Sequence, residues 1–162
     1  RFGLFEAVKG PNWESHPLLE KLGYEPLATR LLGEKLWQAA RKRSVSIKSF
    51  LMNSHVVVGV GNIYACEALY KSGIHPLTAA NLLSLDDFKR LSFEVCKVLK
   101  SAIKQGGTTL KDFRSLKNEK GYFQVKLLVY GREGEECIKC QQVIERFSQN
   151  GRSTWVCSGC QN

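Results

Sequence analysis

Val56-Val57-Val58-Gly59-Val60-Gly61-Asn62-Ile63-Tyr64-Ala65-Cys66-Glu67-Ala68-Leu69-Tyr70 is the stretch on which the fold turns. Its apolar run is too short for more than one extended pass, stops at Gly59 and Gly61, and gives way at Asn62 to a helical pattern with no linker. A helix N-terminus is therefore presented at a tight glycine turn. Such an end carries unpaired backbone N–H groups and the positive end of the helix dipole, and Asn62 adds a side chain that can cap the helix or reach outward. The ligand that suits it is a phosphate.

Upstream, Ser46 starts a short helix over Ile47-Lys48-Ser49-Phe50-Leu51-Met52, followed by the irregular Asn53-Ser54-His55. Downstream, the helix from Asn62 runs to Ser72, stops at Gly73 and is followed by His75-Pro76. The arrangement is helix, two turns, helix. Ser84 and Asp87 are spaced as a capping box for a longer helix with Phe88, Leu91, Val95, Val98, Leu99 and Ala102 on one side. From Leu31 to Arg43 a further helical pattern sets Leu32, Leu36 and Ala39 or Ala40 on one face and ends in Arg41-Lys42-Arg43, a solvated run or a phosphate contact. Before it, Ser15 can start a short helix through Leu22, and Arg1 to Val8 reads as the last strand of a preceding domain. Thr108 to Phe123 reads as an irregular, polar loop, and Val125 to Tyr130 as a strand.

Cys137-Ile138-Lys139-Cys140 and Cys157-Ser158-Gly159-Cys160 are two CxxC pairs separated by sixteen residues. Two thiolates per tight turn, brought together by a hairpin, supply four soft ligands for one tetrahedral zinc ion, and with all four positions filled the metal is structural. Asn150-Gly151 is a preferred two-residue turn between Gln142 to Gln149 and Arg152 to Val156, pairing Gln149 with Arg152 and Phe147 with Thr154. Arg152 is thereby held at the tip of a finger, either as a solvated hairpin residue or, beside a basic bundle, as half of a phosphate clamp. Cys66 and Cys96, on helical segments, read as buried small hydrophobes.

Twenty-four Lys and Arg against fifteen Asp and Glu give a net charge of +9, which favours a polyanionic partner. No stretch is long and apolar enough to span a bilayer and no secretion signal is visible, so the expected compartment is the cytosol. The only methionine is Met52, so a preceding segment is expected to have been present. His16, His55 and His75 each adjoin turn residues and read as structural, Glu67 as half of an ion pair with Lys48 or an arginine, and Lys48 as a phosphate contact.

Taken together, Gly59-Val60-Gly61-Asn62-Ile63-Tyr64, Gly73-Ile74-His75-Pro76, Gln105-Gly106-Gly107-Thr108-Thr109-Leu110, Gly121-Tyr122-Phe123, Val129-Tyr130-Gly131-Arg132 and the four cysteines resemble the C-terminal portion of the bacterial formamidopyrimidine-DNA glycosylases. The resemblance extends over essentially the whole chain. It implies a mainly α fold, a helix-two-turns-helix bundle with a C-terminal zinc-finger β-hairpin and a short N-terminal strand left from a β-sandwich domain. The implied division is 1–30 as the end of that domain and a linker, 31–124 as the DNA-binding bundle with a lesion-capping loop, and 125–162 as the zinc finger.

By the same resemblance Lys48, Asn62 and Arg152 bind phosphates flanking the lesion, Phe2 wedges into the base stack, and Arg1 sits beside a void-filling arginine. Ser115, Lys117, Gly121 and Tyr122 belong to the loop that closes over the flipped base. One structural Zn2+ is held by Cys137, Cys140, Cys157 and Cys160. The expected partner is duplex DNA carrying oxidised purines or abasic sites, bound by a monomer in the bacterial cytoplasm, at the nucleoid. The family's N-terminal proline nucleophile and neighbouring glutamate have no counterpart here, so no catalytic residue is assigned and the chain alone should be inactive. The alternative is a non-catalytic zinc-finger module for damaged DNA or structured RNA.

Overall fold

The computed structural model describes residues 16–106 and 127–162. Five α-helices precede a two-stranded hairpin among these residues: α1 Pro17–Glu20, α2 Leu32–Ala40, α3 Ile47–Leu51, α4 Asn62–Ser72, α5 Leu85–Lys104, β1 Glu145–Gln149 and β2 Arg152–Val156. A 3-10 turn, Ala80–Leu82, leads into α5. No helix among the described residues is long and apolar enough to cross a membrane.

The expected capping box opens α5: Ser84 Oγ accepts from Asp87 N at 3.1 Å and Asp87 Oδ2 accepts from Ser84 N at 2.9 Å. Phe88, Leu91, Val95, Leu99 and Ala102 then line its buried face. Leu36 of α2, Ile47, Phe50 and Leu51 of α3, and Ala65, Ala68 and Leu69 of α4 close the core against it. Each large aliphatic or aromatic side chain so buried stabilises the fold by about 1.5–3 kcal/mol relative to exposure. Helices α2 and α5 approach closely at Gly33, where a Cβ would stand 2.8 Å from Lys89 Cα.

Helix α4 is buried on two sides. Ala65, Ala68 and Leu69 face the bundle, whereas Cys66 and Tyr70 join Val129, Cys137, Ile144 and Cys157 in a second apolar cluster. An apolar residue all round a helix is the mark of a central one, and α4 is the helix against which both the bundle and the hairpin pack. Cys66 is fully buried as expected, and Cys96 only partly, its thiol donating to Pro26 O at 3.3 Å.

Several local expectations are corrected. The apolar run before α4 forms one parallel bridge, Tyr24↔Val57, and no longer strand. Pro17 delays α1, with His16 rather than Ser15 as its cap, and α2 begins only after Leu31, which takes a left-handed φ of 53°. Residues 127–130 are not a strand, because the backbone N–H groups of Leu128, Val129 and Tyr130 are all taken by the Glu67 carboxylate. The hairpin register is the expected one, Gln149↔Arg152 and Phe147↔Thr154, with Asn150 and Gly151 at φ 50° and 73° in the turn. Strand β1 is shorter than expected, starting at Glu145, with Glu136↔Val143 as a separate bridge. The expected N-terminal strand lies outside the described residues, as do Arg1, Phe2, Ser115, Lys117, Gly121 and Tyr122.

Candidate nucleic-acid interface and metal centre

Gly59 turns the chain with φ 78°, a conformation that glycine adopts without a Cβ penalty, and Gly61 stands extended as the N-cap of α4. Asn62 does not cap the helix. Its Nδ2 instead donates across to Ser153 O of the hairpin at 3.0 Å. The short helix α3 is started by Ser46, whose Oγ accepts from Ser49 N, and this places Lys48 toward the same hairpin. Lys48 Nζ donates to Ser153 O at 3.1 Å and to Thr154 Oγ1 at 2.6 Å. One backbone carbonyl, next to Arg152, therefore gathers both side chains.

The hairpin tip is tied to α3 from the other side as well. Gln149 Nε2 donates to Ser46 Oγ at 2.6 Å and Asn150 Nδ2 to Ser49 Oγ at 2.8 Å. Between them lies a shallow cavity of about 170 Å³ lined by Lys48, Ser49, Met52, Gln149, Asn150 and Arg152. An ammonium has three donors and a primary amide two, so Lys48 and Asn62 each retain one N–H after binding the hairpin.

Burial pulls the Lys48 amine below its ordinary value; nearby Cys66 partly offsets this, and the Arg152 guanidinium pulls it down further. Two cations held close together favour an anion between them. Because the folded-state value lies below the unfolded one, the charged amine opposes folding at neutral pH, and its contribution improves as pH rises through the folded value toward the unfolded one.

Of the expected site residues, then, Lys48, Asn62 and Arg152 cluster around one turn of the hairpin. The basic run is partly committed elsewhere, Arg41 over the Trp37 ring and Arg43 over the Phe50 ring at 5.3 and 5.8 Å from the centroids. The three histidines have structural posts: His16 caps α1, His55 Nδ1 meets Lys21 O at 2.7 Å, and His75 stacks on Phe147. Glu67 is not the ion-pair partner expected for Lys48. Its carboxylate accepts from Leu128, Val129 and Tyr130 N–H at 2.9 to 3.0 Å, a role that no spacing in the sequence announces.

The four cysteines of the CxxC pairs are free thiols whose sulfurs all lie within 4.8 Å of one another. Cys137 and Cys160 are 3.8 Å apart, Cys140 and Cys157 3.3 Å. A tetrahedral zinc with Zn–S of about 2.3 Å sets its sulfurs about 3.8 Å apart, so the cluster fits that ion and leaves no position for water. Burial pushes the Cys137 thiol up, but hydrogen bonds from the Tyr70 hydroxyl and the Cys140 and Lys139 backbone outweigh it and bring it to about 6.

This cluster is fastened to α4. Gln161 Oε1 accepts from Cys157 N at 3.0 Å while its Nε2 donates to Ile74 O at 2.9 Å. Asn162 N donates to Gly73 O, and His75 N to Asn162 O. Reading the sequence missed Tyr70, Gln149, Ser153 and Gln161 as parts of this joint, since each acts on a partner far away in the chain.

Residues 22–114 match the model of the formamidopyrimidine-DNA glycosylase H2TH domain. Formamidopyrimidine-DNA glycosylases of Thioalkalivibrio sulfidiphilus and Marinobacter nauticus are 48% and 45% identical over 99% and 93% of this chain, which is 59% and 56% of theirs. The crystal structure of the MutM (Fpg) protein from Thermus thermophilus superposes with a TM-score of 0.83 at 35% identity, over 93% of this chain and 57% of that one. A complex between the Lactococcus lactis Fpg and DNA containing an abasic site superposes with a TM-score of 0.80 at 33% identity, over 89% and 53%. The chain thus spans less than two thirds of the length of these relatives.

Proposed function

The chain belongs to the formamidopyrimidine-DNA glycosylase family, and from that premise we propose that it is the DNA-holding C-terminal part of a base-excision-repair glycosylase and AP lyase. The intact protein removes 8-oxoguanine and formamidopyrimidines from duplex DNA and cleaves the abasic site by β-elimination. Within it, residues 31–124 form the DNA-binding bundle and 125–162 the zinc finger. The observation that carries the reading is the convergence of Lys48 and Asn62 on Ser153 O, beside Arg152, in a chain of net charge +9.

Lys48, Asn62 and Arg152 grip phosphates on either side of the lesion, supplying charge-assisted hydrogen bonds that set register without reading sequence. Phe2 wedges into the base stack, Arg1 lies beside the arginine that fills the void left by the flipped base, and Ser115, Lys117, Gly121 and Tyr122 close over that base. Cys137, Cys140, Cys157 and Cys160 would hold one Zn2+, which supplies folding energy to the finger. The reacting amine, and with it the chemistry, comes from a preceding domain.

Borohydride trapping tests the activity: the full-length gene product should cross-link to duplex DNA carrying 8-oxoguanine, while the 162-residue chain should bind the duplex without cross-linking. A full-length protein that binds such DNA and never cross-links would overturn the lyase assignment. The grip is tested separately by salt titration. Arg152→Ala and Lys48→Met should each weaken binding and flatten the dependence of log K on log salt by about 0.9. Lys48→Met should at the same time raise thermal stability, because it removes a buried charge and Ser153 O keeps Asn62 as a donor. Slopes equal to the parent's would exclude both residues from phosphate contact.

A further inference from the structure

Tyr70 is among the largest fully buried side chains of the chain, and it projects from α4 into the four-cysteine cluster. Its hydroxyl oxygen lies 3.1 Å from Cys137 Sγ. A cysteine bound to zinc is a thiolate and has no proton to give, so in the loaded finger the phenol is the donor and the sulfur the acceptor. A phenol buried without a partner carries a desolvation cost; this sulfur relieves it.

The surroundings are arranged to match. Cys137 Sγ also accepts from Lys139 N at 3.4 Å, and Lys139 Nζ stands 4.8 Å from the centroid of the Tyr70 ring, closing the outer side of the ring with a cation. Four thiolates on one divalent ion leave a dianion, which nearby donors and positive charge stabilise. Cys140, by contrast, is exposed.

We propose that Tyr70 is a positioning residue of the zinc centre: its hydroxyl donates to the Cys137 thiolate, draws charge off that sulfur and sets its direction. The metal is thereby latched to α4, the helix whose N-terminus presents Asn62. Groups behind a metal ligand orient it and tune its basicity, and their loss characteristically weakens metal binding by 10–100-fold. Tyr70 does this with a side chain from the bundle, so that the finger cannot hold its metal fully without the helix beneath it. Charge on the Cys137 sulfur is lowered accordingly.

The inference rests on zinc occupying the four-cysteine site, and the experiment separates the two. In the intact protein, stoichiometric zinc is measured first; a parent protein that takes up none refutes the metal assignment itself. Zinc affinity of Tyr70→Phe is then measured by chelator competition, together with the sulfur-to-metal charge-transfer band of the cobalt-substituted protein. Affinity should fall by roughly 10–100-fold, and the band should move to lower energy as one sulfur loses its donor. A change in packing that leaves the four metal–sulfur bonds as they are does not move that band. Unchanged affinity with an unshifted band would overturn the proposal. Should Tyr70→Phe not fold, cadmium NMR of the parent decides: a scalar coupling between the metal and the Tyr70 hydroxyl proton is expected, and its absence from a fully loaded sample counts against the bond.

Discussion

Replacing Cys157 by serine is expected to unfold the finger and take specific DNA binding with it. Cys157 is fully buried among the four sulfurs, and its N–H is held by Gln161 Oε1. A two-stranded hairpin of five residues a side is marginal by itself in water, whereas a structural zinc contributes on the order of 10 kcal/mol or more. Loss of the metal therefore exceeds what the small apolar cluster around Ile144 and Val129 can offset. The effect reaches the bundle through Ser153, because Lys48 then loses both Ser153 O and Thr154 Oγ1 as acceptors. Metal content by native mass spectrometry should drop to zero and duplex affinity should fall roughly a thousandfold, to the non-specific level. The helical circular dichroism of the bundle should persist. Acidification should cause the same loss, since protons compete for the thiolates. Duplex binding as tight as the parent's in a variant without metal would refute this account.

Glu67→Ala should be the most damaging single change outside the metal site. Glu67 is 4% exposed, and its carboxylate is the acceptor for three successive backbone N–H groups. Each buried donor left unpaired costs about 1–3 kcal/mol, so three of them amount to roughly 3–9 kcal/mol if no water enters. Glu67→Gln keeps one acceptor oxygen and should lose less. Chemical denaturation gives the stability difference, and amide exchange at Val129 and Tyr130 locates it. A midpoint within error of the parent's, with those amides still protected, would show that the carboxylate is dispensable.

What could be read directly from the residues was local in cause. The capping box at Ser84 and Asp87, the stop at Gly73 after α4, the Asn150-Gly151 turn with its register and the spacing within each CxxC pair depend on neighbours within a few positions. What escaped depends on distant partners. Val125 to Tyr130 has the composition of a strand, yet the N–H groups of Leu128, Val129 and Tyr130 are spent on a carboxylate some sixty positions earlier. The pairing of Tyr24 with Val57 replaced a longer extended pass for the same reason. In the candidate grip, the residue types at Lys48, Asn62 and Arg152 suggested anion binding, but that the first two would be tied to the hairpin through one carbonyl followed from no pattern in the sequence.

That carbonyl has an evolutionary side. Ser153 O belongs to the peptide backbone, so no substitution at position 153 deletes it, while the two side chains that converge on it are fully open to mutation. The joint between bundle and finger is thus keyed to a chemically invariant atom. Drift at 153 leaves this acceptor intact, and at this point of the joint selection acts on the keys at 48 and 62 and on the turn that holds the carbonyl in place.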